Sequence, residues 1–307
     1  MKIGIALGGG GARGIAHFGV LRALEEAGIK FSLAAGTSAG SLAGAMYGLY
    51  GYEGALELVE RIVKSERYRK MGLRYLDRSR ESGRSGVLTF IKEGITYTKA
   101  LTTRALLSGE DLMAIVGDLV GEKSFEDLPY NFSAVALDLV KGKDVIFSRG
   151  PLRDALYSSS AIPGIFPPLE KDGRLLVDGG PTALVPIEAL ILQEADFIIA
   201  VDVSGGPDGN LNGTNAVEIV LRAEGIATRK LSQLILSFAD FVIRPDLADM
   251  SWMHFEKVPF AVERGYAEAM KSLDSLRSAL RKHGFIKKLY RKSVLKRLKL
   301  NRFSEYA

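Results

Sequence analysis

Gly36-Thr37-Ser38-Ala39-Gly40 is the first stretch whose residue types and spacing could do chemistry, because it matches G-x-S-x-G. That pattern makes a strand-to-helix turn so tight that the flanking residues must be tiny, and the serine hydroxyl then protrudes at a helix N-terminus. The dipole of the helix favours the alkoxide that develops as such a serine attacks a carbonyl. A serine nucleophile also needs a base. The chain holds only three histidines, His17, His254 and His283. His254 alone suits the order of a Ser–acid–His triad, yet it lies beside aromatics in Ser-Trp-Met-His-Phe-Glu-Lys, where a packing or surface role explains it better. His17 follows a glycine loop and is read as a structural hydrogen-bonder. Asp178 offers the other route. It closes the apolar run Leu175–Val177 and precedes Gly179, Gly180 and Pro181, a context that exposes a carboxylate at a strand end. Desolvation raises the pKa of such a group and makes it a usable base.

A second glycine motif, Gly9–Gly14 (GGGARG), matches G-x-G-x-x-G. Glycines let backbone N–H groups converge on a negative oxygen, and the following helix adds its positive end. Dinucleotide, phosphate and oxyanion binding all use this geometry. A dinucleotide fold expects an acid about 20 residues on, at the end of the second strand. That strand ends here in Ala34-Ala35-Gly36 and no acid follows before Glu53, so dinucleotide binding is disfavoured. No Gly-Lys-Ser/Thr follows the loop, which excludes a Walker site.

The elements that must position these groups read as α/β. Lys2–Leu7 and Phe31–Ala35 are strand-like, and Ala16–Ala27 carries helical periodicity that stops at Gly28. A small-residue helix begins near Ala39. The uncharged run Phe31–Tyr52 is long enough to span a bilayer, but its five glycines fit a buried helix better. Phe132–Leu139 and Asp144–Phe147 read as a hairpin, Leu152–Ser158 as a helix, and 161–168, with three prolines, as irregular. Phe197–Val203 is a near-continuous apolar run of the kind a doubly covered parallel strand shows. Ala216–Leu236, Phe241–Ile243 and Val262–Arg281 read as helix, strand and helix.

The chain has 307 residues, 47% of them hydrophobic and 25% charged, enough for a substantial core and too apolar for a disordered protein. The absence of cysteine excludes disulfides, thiolate metal sites and a cysteine nucleophile, and the scattered histidines make a metal centre unexpected. No signal peptide is read at the N-terminus, and the expected setting is cytoplasmic. The net charge of +5 is uneven. Residues 281–307 hold ten Lys or Arg against one Glu, and residues 61–84 hold nine against three, which leaves the remainder net acidic. The polar, Arg-rich stretch 61–104 is expected to be a cap-like insertion on a domain spanning 1–280, with a basic tail over 281–307. Residues 281–302 could lie on an anionic membrane face, where each basic residue contributes about 1 kcal/mol, although their amphipathicity is imperfect. No nucleic-acid-binding module accompanies them.

With the motifs in order, the chain resembles the patatin-like phospholipases. The resemblance rests on GGGGARGIAHFGVL at 8–21, GTSAGS at 36–41, SSSAIPGIFPPL at 158–169 and DGG at 178–180, and it covers most of residues 1–250. It implies a three-layer α/β/α sandwich around a mostly parallel sheet, and hydrolysis of lipid acyl esters without metal or cofactor. It further implies Ser38 as nucleophile and Asp178 as base in a Ser–Asp dyad, with an oxyanion hole from the N–H groups of Gly9, Gly10 and Gly11. Arg13 matches the family's basic loop position, Gly14, Gly36, Gly40, Gly179 and Gly180 support the motif turns, and the Pro-rich segment matches a wall of the acyl site. Gly8 departs from relatives that carry an acid there. Two other readings stand beside this one: an α/β-hydrolase triad using His254, and a non-catalytic nucleotide- or lipid-binding regulator.

Overall fold

The computed structural model describes residues 1–71, 104–205 and 216–282, together with Ser293, Lys296 and 304–306. At its centre, β1 (Ile3–Leu7), β2 (Leu33–Thr37) and β7 (Phe197–Val201) carry apolar side chains on both faces, so each strand feeds two cores. Ile5, Leu7, Ala34, Phe197 and Ile199 join one core, while Ala6, Leu33, Ala35, Ile198 and Ala200 join the other. The period of two in a pleated strand produces this division, and a layer of helices must cover each face.

The first face is covered by α1 (Ala16–Glu26), α2 (Ala39–Lys64), α3 (Glu66–Lys70), α4 (Gly109–Val120), α5 (Leu152–Ser160) and α9 (Val258–Lys282). The second is covered by α6 (Gly180–Ala183), α7 (Ile187–Leu192) and α8 (Ala216–Leu236). The fold is a three-layer α/β/α sandwich around a mostly parallel sheet. Its strand order is β5 (Leu169–Lys171), β6 (Arg174–Asp178), β3 (Asn131–Asp138), β2, β1, β7 and β8 (Phe241–Ile243). β4 (Lys143–Phe147) pairs with β3, and β9 (Ser304–Tyr306) pairs with β4.

One register decides where chemistry occurs. β2 pairs with Asn131–Val135 of β3, β6 with Ala136–Asp138, and β4 with Ala134–Asp138. β4 overlaps both of the others, so it must occupy the opposite edge of β3. β2 and β6 therefore share one edge, running toward each other end to end. Thr37 stands opposite Val135 and Asp178 opposite Ala136, the next residue along. The ends of the two strands meet there.

The uncharged run Phe31–Tyr52 divides into β2, a turn and the start of α2, which kinks at Gly51 (φ 67°) and continues to Lys64. The opening of the expected insertion is thus helical, and Tyr68 and Met71 are buried in the core. Its remaining part, 72–103, lies outside the described residues. So does most of the expected basic tail, but Ser304–Tyr306 forms a strand parallel to β4, and Glu305 pairs with Arg174 at 2.9 Å and Lys141 at 3.2 Å. Among the described residues, no helix is long and apolar enough to cross a membrane.

Candidate active site

Ser38 sits at φ 54° and ψ −127°, a conformation that side-chain-bearing residues rarely adopt and that costs roughly 1–3 kcal/mol. The two motif glycines are required by space. A Cβ on Gly36 would lie 2.4 Å from Ser41 Cα, and one on Gly40 would lie 2.1 Å from the Leu7 carbonyl oxygen. The turn is locked from within by the Ser41 hydroxyl, which donates to the Ser38 carbonyl at 2.7 Å. Ser38 is thereby held at the N-terminus of α2, with only 8% of its surface exposed.

Asp178 ends β6 at the shared edge of β3. Its Oδ1 accepts the Gly180 N–H at 2.8 Å, which closes the turn into α6. Gly179 must lack a side chain, because a Cβ there would lie 2.7 Å from the Val135 carbonyl oxygen. The strand register sets the carboxylate beside the Ser38 hydroxyl. Burial pushes the pKa of Asp178 up to about 6, against the smaller opposing pull of hydrogen bonds from Ser38 and Gly180. A buried carboxyl poised near neutrality is suited, once ionised, to accept a proton.

The glycine loop corrects one sequence expectation. The Gly9 N–H donates to the Leu184 carbonyl at 2.8 Å, so it is spent on the scaffold and does not face an incoming oxygen. Gly8 N–H donates to Val201 and Ala12 N–H to Trp252 in the same way. Gly10 and Gly11 remain, half-buried, with no partner for their N–H groups among the described residues. Gly11 needs to be glycine, having φ 57° and room for no Cβ, which would lie 2.3 Å from the Trp252 carbonyl oxygen. Arg13 is 3% exposed, and its guanidinium donates to the Ser204 carbonyl, so it pins the loop to the chain beyond β7. His17 is fully buried and its Nε2 lies 2.8 Å from the Gly8 carbonyl oxygen, to which it donates. Burial pulls its pKa down to about 4, so the ring is neutral and holds the loop from behind.

Beside Ser38 opens a cavity of about 150 Å³. Ile15, Phe18, Leu42, Met46, Ile115 and Phe166 are among its lining residues, as are Gly11, Gly14 and Ser160. The Pro-rich segment supplies Ile162 and Phe166 to the cavity, and the opening of the insertion supplies Ile62, Val63, Tyr68 and Met71. An apolar pocket that starts at a strained serine fits a hydrocarbon chain attached to a reacting carbonyl.

A family model described as patatin-like phospholipase matches residues 5–191. The chain belongs to the patatin-like phospholipase family. It is 37% identical over 208 residues to an uncharacterized NTE family protein of Mycobacterium bovis, covering 68% of this chain and 51% of that protein. It is 33% identical over 214 residues to the neuropathy target esterase sws of Drosophila melanogaster, covering 68% and 13% respectively. A solved structure of VipD from Legionella pneumophila is 18% identical with a TM-score of 0.42, covering 89% of this chain and 66% of that one. The chain spans about half the length of the mycobacterial relatives it matches.

Within this patatin-like chain the other candidate base stays apart. His254 Nδ1 accepts the Ser251 N–H at 3.0 Å in a local turn, and the cavity is lined by its neighbours Trp252 and Phe255 but not by His254. Sequence reasoning missed Ser159. Its hydroxyl donates to the Val135 carbonyl at 2.7 Å and accepts the Ser38 N–H at 3.0 Å, tying the strained turn to β3. Its signal was its place in the segment SSSAIPGIFPPL, which carries the family resemblance but assigned this serine no role.

Proposed function

We propose that this chain is a serine acyl hydrolase that cleaves lipid esters, phospholipids or lysophospholipids, through a Ser38–Asp178 dyad. Asp178 takes the proton from the Ser38 hydroxyl as its oxygen bonds to the ester carbonyl carbon. The carbonyl oxygen becomes an oxyanion held by the Gly10 and Gly11 N–H groups, and a donor of this kind is worth about 10²–10³ in rate. When the tetrahedral intermediate collapses, the carbon–alkoxy bond breaks and the departing alcohol takes the proton from Asp178. The acyl group is then esterified to Ser38 with its chain in the apolar cavity. Water, deprotonated by Asp178, attacks the acyl carbon, and the fatty acid leaves as Ser38 regains a proton.

The observation that carries this reading is the end-to-end meeting of β2 and β6 on one edge of β3, which brings a strained serine onto a buried carboxylate at an apolar cavity. Family membership, with the likeness to the neuropathy target esterase and to the lysophospholipase NTE1 of Mycosarcoma maydis, supports the substrate class. Peripheral attachment to anionic membranes through 281–302 belongs to the same reading and is checked by sedimentation with anionic vesicles.

A fluorophosphonate probe and release of fatty acid from lysophosphatidylcholine test the proposal. Wild type is expected to label and to hydrolyse, Ser38→Ala to do neither, and His254→Ala to keep activity within about twofold, as a dyad without histidine requires. Labelling that persists in Ser38→Ala, or a folded wild type that never labels, overturns the nucleophile.

A further inference from the structure

Three consecutive serines end α5, and each has a different fate. Ser158 donates back to the Asp154 carbonyl at 2.8 Å, within its own helix. Ser159 joins the Ser38 N–H to the Val135 carbonyl. Ser160 is 7% exposed and its hydroxyl has no hydrogen-bond partner among the described residues. The next residue, Ala161, accepts the Asp178 N–H at 2.9 Å. Ser160 therefore stands between the residue that holds the nucleophile's amide and the residue that holds the base's strand end. It also lines the cavity that Ser38 lines. A buried hydroxyl without a partner is unfavourable, and alanine would fill nearly the same space with no such cost. The group becomes satisfied when an acceptor enters the cavity beside Ser38.

The topology says which acceptor. The glycine loop follows β1, on the edge of β2 away from β3, whereas Asp178 continues the line of β2 along β3 and is tied through Ala161 to the end of α5. The carbonyl oxygen belongs to the glycine side, and the departing oxygen to the side of Asp178, which must protonate it. We propose that the Ser160 hydroxyl donates a hydrogen bond to the alkoxy oxygen of the bound ester, making Ser160 a substrate-contacting residue that favours oxygen esters. The inference rests on the Ser38–Asp178 reading.

The test is Ser160→Ala, assayed on a lysophospholipid and on its thioester analogue, whose sulfur is a weak acceptor. Expected are a melting temperature at or above that of wild type, undiminished fluorophosphonate labelling, and kcat/KM for the oxygen ester lowered about tenfold, the worth of one such bond. On the thioester the loss should be under about threefold. Equal losses on both substrates, no loss on the oxygen ester, or a loss that follows a fall in melting temperature overturns the assignment. A wild-type chain that neither labels nor hydrolyses overturns the dyad itself, and this inference with it.

Discussion

Replacing Asp178 with asparagine should make the protein inactive and, above neutral pH, more stable. Burial raises the carboxyl from its ordinary 3.8 to about 6, so the folded state holds the proton more tightly than the unfolded chain does. Below the unfolded value both states are protonated and the side chain contributes its full stability. As pH rises through about 6 the folded chain must bury a charge, and a shift of about two units corresponds to about 3 kcal/mol lost. Asparagine keeps the shape, can accept the Gly180 N–H through its oxygen, and can donate its amide to Ser38, but it never ionises. The variant should thus exceed wild type by up to about 3 kcal/mol at pH 8, with the gap closing toward pH 4. Wild type carries an opposing slope. His17 is held neutral, its pKa lowered from 6.5 to about 4, so its contribution disappears as pH falls through that interval. Asp144, whose carboxyl burial also raises to about 6, carries the same slope as Asp178, so wild type should lose stability from pH 4 to pH 8 while the asparagine variant, left with Asp144 and His17 opposed, should stay nearly level. Urea unfolding at several pH values measures both effects. In parallel, kcat/KM of wild type should rise with pH around about 6 and then level, as the carboxyl becomes a base. A variant less stable than wild type at pH 8, or a stability difference that does not vary with pH, would refute a buried carboxylate poised as the base.

Other substitutions address the frame around the dyad. Ser159→Ala strands the Ser38 N–H and the Val135 carbonyl, and should cost about 1–3 kcal/mol while lowering kcat more than it changes KM. Chemical denaturation and steady-state kinetics separate the two effects. Gly40→Ala places a methyl 2.1 Å from the Leu7 carbonyl oxygen, which forces α2 off the sheet; loss of about 3 kcal/mol or more, and of soluble yield, is expected. Met46→Trp fills the cavity beside Ala43 and should depress turnover of long acyl esters while sparing acetyl or butyryl ones, read from a chain-length series.

The layered fold was legible because its central strands are buried on both faces. Phe197–Val201 has no polar residue to interrupt it, and the helices around it keep a 3.6 period. Elements that owe their structure to remote pairing carry no such mark. β9 is three residues, Ser-Glu-Tyr, whose extended form depends on the open edge of β4 and on Arg174 and Lys141 meeting Glu305. The helix α4 does carry local signals, a Ser108 cap and acids at Glu110 and Asp111, but it follows an Arg-rich stretch whose weak periodicity hides where the helix begins.

The site shows the same division at finer scale. G-x-S-x-G announces Ser38 because its constraints are local: the positions of Gly36 and Gly40 are dictated by Ser41 and by the neighbouring strand. Which loop amide can face an oxyanion is a different matter. Gly9, Gly10 and Gly11 are identical letters in sequence, and it is the Leu184 carbonyl, far along the chain, that consumes the Gly9 N–H. The serines that end α5 are likewise identical letters. The helix's own carbonyl claims Ser158, the open carbonyl of Val135 claims Ser159, and Ser160 faces the cavity where α5 gives way to the Pro-rich segment. A motif therefore specifies the backbone geometry it can enforce within a few residues. The assignment of its donors follows from strand register, and here the end-to-end placement of β2 and β6 on β3 sets a common DGG turn next to a serine 140 residues away.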